Sequence, residues 1–68
     1  MKSILETGIG NYYGEVQLYK HKDKYYLGLE NYNGDFGVEV SKEFAQAMKK
    51  EFKEEKEELY LNDIAEER

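Results

Sequence analysis

The stretch YYLGLENYNGDFGVEV, residues 25–40, decides the fold. Tyr25, Leu27, Leu29 and Asn31 share one face of an extended chain, and Tyr26, Gly28, Glu30 and Tyr32 share the other. A period of two is the mark of a half-buried strand. Phe36, Val38 and Val40 alternate in the same way, which gives a second strand. Asn33-Gly34 between the two is a strong hairpin signal, because both central residues of a type I′ turn need positive φ, which Asn and Gly tolerate. Centring the hairpin there pairs Tyr32 with Asp35, Asn31 with Phe36, Leu29 with Val38 and Leu27 with Val40. All the aliphatic side chains then fall on one side.

Working toward the N-terminus, EVQLYKH, residues 15–21, alternates Val16, Leu18 and Lys20 against Glu15, Gln17, Tyr19 and His21. A turn near Lys22-Asp23 sets Leu18 opposite Leu27 and Val16 opposite Leu29, so the same face is again apolar. A slip of one residue would flip the whole strand, and the agreement therefore supports the register. SILETGIGNYY, residues 3–13, reads as a short strand followed by a glycine-punctuated turn at Gly8 and Gly10. Toward the C-terminus, Ser41 suits a helix N-cap and Glu43 the first helical turn. KEFAQAMKKEFKEEKEEL, residues 42–59, has no Gly, Pro or β-branched residue, and Phe44, Ala47, Met48 and Phe52 recur at helical spacing. Like-charge pairs accumulate beyond Phe52, so the helix is expected to fray past about residue 58.

The expected architecture is α+β: an antiparallel three- to four-stranded β-meander with one C-terminal helix packed on one face. Phe44, Met48 and Phe52 would cover Val16, Leu18, Leu27, Leu29, Val38 and Val40. Residues 1–58 form one domain, and residues 59–68 a frayed helix end or tail. No internal repeat or linker is evident.

On the reverse of the sheet the same register sets Tyr19 opposite Tyr26, Tyr13 opposite Tyr32, Glu15 opposite Glu30 and Gln17 opposite Gly28. Two tyrosine pairs flank a hollow bordered by Glu39. Gly28 there marks a bulge, lets a neighbouring ring lie flat over it, or admits a partner's group. Tyrosine is a good strand former, and cross-strand aromatic pairs stabilise sheets by roughly 0.2–1 kcal/mol each. Yet a face of four tyrosines on so small a protein is a large amphipathic patch, of the kind that marks interaction sites. Glu15 directly opposite Glu30 costs stability unless a cation sits between them. Tyr13, Tyr19, Tyr26, Tyr32, Glu15, Glu30, Glu39 and Gly28 are accordingly the candidate binding residues.

The composition narrows the chemistry. The 68 residues carry 10 basic and 15 acidic side chains, a formal net charge of −5, which disfavours nucleic acid as a direct partner. With no cysteine and a single histidine, His21, beside a turn, there is no nucleophile–base pair or zinc constellation. Neither a catalytic residue, a metal site nor a cofactor is expected. GIGNYYG, residues 8–14, lacks the spacing, the lysine and the following helix of a phosphate-binding loop. No apolar run is long enough for a signal peptide or membrane span, so a cytoplasmic protein is expected. A core of this size rarely supplies more than about 3–5 kcal/mol, which favours a homodimer. The glutamate-rich KEEKEEL, residues 53–59, is either a solvated helix face or an imitation of a phosphate backbone.

In size, negative charge, richness in Lys, Glu, Tyr and Asn, and absence of cysteine and proline, the chain resembles the small acidic phage-encoded proteins that bind and block host machinery, anti-CRISPR and other anti-defence proteins among them. The resemblance implies a non-enzymatic, inhibitory binding protein. The residues point the same way, to a basic or nucleic-acid-binding protein partner bearing Arg or Lys, engaged through the tyrosine-rich face, with the acidic helix as a secondary candidate element. The alternative is a binder of small, nucleotide-like ligands that stacks them on tyrosines at a dimer interface.

Overall fold

The computed structural model describes residues 2–65. Four strands, β1 (Lys2–Asn11), β2 (Gly14–His21), β3 (Lys24–Asn31) and β4 (Gly34–Val40), form one antiparallel sheet in the order β1-β2-β3-β4. Two helices follow, α1 (Lys42–Glu51) and the short α2 (Leu61–Ala65). The α+β meander with a helix on one face is therefore present. Among the described residues no helix is long and apolar enough to cross a membrane.

The β2–β3 hairpin has the register that its alternation dictates. Leu18 faces Leu27, Val16 faces Leu29, Tyr19 faces Tyr26, Glu15 faces Glu30 and Gln17 faces Gly28. His21 pairs with Lys24, so Lys22 and Asp23 make the turn, with Lys22 at φ 57°. The ladder stops at Glu15 and Glu30, and Tyr13 and Tyr32, expected as a pair, lie instead in the turns beyond it.

The β3–β4 hairpin differs from expectation by two residues. Asn31 pairs with Gly34, Leu29 with Phe36, Gly28 with Gly37 and Leu27 with Val38. The turn is Tyr32-Asn33, not Asn33-Gly34. A type I′ turn needs positive φ at both central residues, and Lys22 is the only non-glycine residue with positive φ among those described. Asn31 opens the turn instead, its Oδ1 accepting the Asn33 N–H at 2.8 Å, and Gly34 closes it at φ 124°. The β1–β2 turn repeats this device, with Asn11 Oδ1 accepting from Tyr13 N–H at 2.7 Å and Gly14 in the fourth position. Asn first and Gly fourth is the residue preference of a type I turn. The repeated N-Y-x-G at residues 11–14 and 31–34 is the signal that an Asn-Gly reading overlooks.

β1 is longer than the short strand expected. It runs through Gly8 and Gly10, which lie in or beside a bulge rather than in a turn, and its pairing with β2 breaks between Ser3 and Leu5 and again between Glu6 and Gly10. Thr7 occupies the second break. Its hydroxyl donates to the Val16 carbonyl at 2.7 Å and accepts the Ile9 N–H at 3.0 Å, which satisfies backbone groups the bulge displaces.

Ser41 caps α1, its Oγ accepting the Phe44 N–H at 3.0 Å. The helix buries Ala45 and Met48 against Leu18, with Ile4, Leu5, Tyr25, Leu27, Val40 and Phe52 packed around them. Phe44, expected in the core, lies to the side and is 45% exposed. α1 is also shorter than predicted, ending at Glu51. Helices are held mainly by packing of an apolar face, and after Phe52 no apolar side chain follows until Leu59. Residues 55–60 have no regular structure, so the glutamate-rich helical face read from residues 53–59 does not form. Glu58 reaches the Gly10 N–H at 2.9 Å instead. The tail expected over residues 59–68 contains α2, and residues 66–68 lie outside the described residues. With so short a helix, the half of the aliphatic face carrying Phe36 and Val38 stays uncovered, at 65% and 62% exposure.

Candidate functional site

The reverse face of the sheet is organised in rows that cross the strands. Side chains directly opposite in an antiparallel pair stand about 5 Å apart and interact strongly. One row is Glu15, Glu30 and Asp35, on β2, β3 and β4. The next is Gln17, Gly28 and Gly37, and the one beyond it Tyr19, Tyr26 and Glu39. His21 and Lys24 close the face. An acidic row and an aromatic row thus flank a strip that is bare of side chains on β3 and β4.

The two-residue slip of β4 builds this arrangement. In the expected register Glu39 borders the hollow opposite Gly28, and Asp35 faces Tyr32. In the structure Gly37 faces Gly28, Glu39 moves beside Tyr26, and Asp35 joins Glu30. Lys24 Nζ lies 3.8 Å from the Glu39 carboxylate, an exposed pair worth little. Among the described residues no ion pair reaches Glu15, Glu30 or Asp35, and the Glu15 carboxylate receives only a long 3.5 Å bond from the Gln17 amide. No group of described residues has the geometry to hold a metal ion, this row included.

Gly28 serves the second of the roles open to it. The Tyr19 ring lies against its Cα, with Cε2 only 3.0 Å from where a Cβ would stand. Tyr19 is 3% exposed, and Gln17 beside it 2% exposed. The expected platform of four exposed tyrosines is therefore not present. Tyr19 is buried, Tyr26 is half-buried, and Tyr13 and Tyr32 are exposed in separate turns. Tyr13 packs edge-on against Tyr12, ring centres 5.5 Å apart. What the face offers is a half-open hollow lined by Tyr19, Tyr26, Gly28, Asp35, Phe36 and Gly37. Gln17 stands opposite Gly28 as its alternation places it, while Asp35 and Gly37 went unrecognised in the sequence because their places depend on the register of β4.

The Tyr19 hydroxyl is buried without a hydrogen-bond partner among the described residues, as are Gln17 Oε1 and Ser3 Oγ. Burial pushes the Tyr19 phenol above its ordinary value of 10.0, and the nearby carboxylates of Asp35, Glu30 and Glu15 push it further, since each disfavours a phenolate. The native state then holds this proton to higher pH than the unfolded chain does. Stability is full below pH 10.0 and falls as pH rises from there through the native value. Tyr19→Phe removes both the titration and an unsatisfied hydroxyl. It is expected to raise stability by about 1 kcal/mol and to flatten the alkaline decline, as read by urea denaturation at neutral and alkaline pH. A destabilised Phe variant would show that the hydroxyl has a partner.

No protein-family model matches the chain, and comparison with curated proteins and with solved structures finds no significant similarity.

Proposed function

We propose that this chain is a small non-enzymatic binding protein whose helix-free sheet face engages a positively charged surface of a protein partner. The observation that carries the reading is the row Glu15, Glu30 and Asp35, three carboxylates opposite one another beside a hollow walled by Tyr19 and Tyr26. Like charges in directly facing positions cost a sheet up to about 1 kcal/mol per pair. A marginal domain that carries two such pairs spends stability on a surface that a cation relieves. The half-buried Tyr26 and bare glycine backbone beside the carboxylates suit the flat, polarisable guanidinium of arginine. A nucleotide fits poorly, since the acidic row repels its phosphates and the Tyr19 ring is covered instead of offered for stacking. The compositional resemblance to host-blocking phage proteins agrees with an inhibitor that occupies a basic surface.

The test is a triple variant, Glu15→Gln, Glu30→Gln and Asp35→Asn. Removing the repulsion is expected to stabilise the isolated protein by roughly 0.5–1 kcal/mol. The same variant, immobilised, is expected to lose about tenfold of the salt-releasable basic proteins that the wild type captures from a cell extract. Equal capture by both proteins refutes the reading.

A further inference from the structure

The two edges of the sheet are not alike. β1 is broken by two bulges, carries Lys2, and has its Gly10 N–H taken by the Glu58 carboxylate. Bulges, lysines and covering segments are how proteins blunt a sheet edge against pairing with another chain. β4 has none of these. Its seven residues, GDFGVEV, pair with β3 without a break, contain no lysine or proline, and are exposed along the strand up to Val40. Its outer edge is a continuous row of backbone groups, with no further strand beside it among the described residues.

The side chains of β4 say what belongs there. Asp35, Gly37 and Glu39 point to the acidic face, and Phe36 and Val38 to the uncovered aliphatic face. We infer that β4 receives an extended segment of the partner protein as a fifth strand, one in which basic and apolar side chains alternate. The inference rests on the binding reading given above and names its mode and its sequence chemistry. Basic side chains of the added strand stand opposite Asp35 and Glu39, while its apolar side chains extend the Phe36–Val38 row on the other face. A basic side chain opposite Gly37 meets no β4 side chain and passes over the glycine into the hollow beside Tyr19 and Tyr26. Backbone pairing supplies affinity and the alternate side chains supply selectivity, as in other strand additions. A second copy of this chain is the poorer occupant, because antiparallel β4–β4 pairing about Gly37 sets Asp35 against Glu39 of the other copy.

The experiment titrates the isotope-labelled protein with three synthetic peptides: alternating arginine and valine, alternating glutamate and valine, and the arginine peptide N-methylated along the edge that would pair. The arginine peptide is expected to shift amide resonances across Gly34–Val40 and to slow hydrogen exchange at outward-facing β4 amides. N-methylation is expected to weaken binding about tenfold by removing backbone donors, and the glutamate peptide to leave the spectrum unchanged. Equal binding of the N-methylated peptide overturns strand addition and leaves the charged face as the binding element. Shifts centred on β1, or binding of the glutamate peptide, also overturn it. So does a protein that sediments as a dimer with its β4 amides already protected. Failure of all three peptides overturns the strand-addition inference alone, since the proposed function is judged by capture with the triple variant.

Discussion

Replacing Gly37 by alanine is expected to strip β4 from the sheet. A Cβ at this position would run into the Leu27 carbonyl oxygen and stand 2.5 Å from the Gly28 Cα and 2.8 Å from the Leu27 carbonyl carbon. These are backbone atoms of the central strand, so no rotamer change relieves the clash. β3 and β4 must separate locally, which breaks the ladder at its middle and carries Phe36 and Asp35 away from Leu29 and Glu30. Overpacking normally costs about 1–3 kcal/mol, and contact with unyielding backbone belongs at the top of that range. For a domain holding about 3–5 kcal/mol in all, this is most of the stability. Hydrogen exchange locates the effect: β4 amides are expected to lose protection while those of β2 retain more of it. An alanine variant with native stability and intact β4 protection would show that Gly28 and Gly37 do not face each other.

Leu18→Ala is expected to unfold the protein at room temperature. Leu18 is fully buried, and it is the residue that joins Ala45 and Met48 of α1 to the sheet. Truncating a buried leucine removes its transfer energy and leaves a cavity, together about 2–5 kcal/mol. α1 is only ten residues long and is held to the sheet through this cluster, so it has little helicity of its own to fall back on. Far-ultraviolet circular dichroism is expected to show loss of helix, and urea denaturation a midpoint near zero. A variant that melts within a few degrees of wild type would place the core elsewhere, under Phe36 and Val38.

The contrast between these residues shows what the sequence made legible. The β2–β3 register was readable because a turn at Lys22-Asp23 sets Leu18 opposite Leu27 and Val16 opposite Leu29 together, whereas a two-residue slip puts Val16 opposite Asn31 or Leu18 opposite Tyr25. β4 was not pinned in this way. Moving it by two residues leaves Phe36, Val38 and Val40 on the same face, so the hydrophobic pattern accepts either register. The choice falls to the turn, where the Asn31 side chain and Gly34 favour a Tyr32-Asn33 tip over the Asn-Gly tip that pattern alone suggests. The consequences for the face are large. Asp35 enters the acidic row and Gly37 replaces Glu39 opposite Gly28, so two residues of the candidate site were invisible until the register was known.

The burial of Tyr19 was hidden for another reason. Alternation assigns a side chain to a face, but whether it stands up or lies across its neighbour depends on what that neighbour leaves free. Gly28 leaves room for the Tyr19 ring. The end of α1 was half legible: the stripe visibly thins after Phe52, and the structure shows that good intrinsic helix formers do not carry the helix past the last side chain with something to pack on.

The division of the sheet into an aliphatic face beneath α1 and an acid–tyrosine face behind it supports every functional statement made for this protein. Proton–proton nuclear Overhauser contacts of the Tyr19 ring measure it most directly. The expected contacts run from the ring to both Gly28 α-protons, while Leu18, its neighbour in the chain, touches the Ala45 and Met48 methyls from the other face. Contacts from the Tyr19 ring to Ala45 or Met48 would contradict that division.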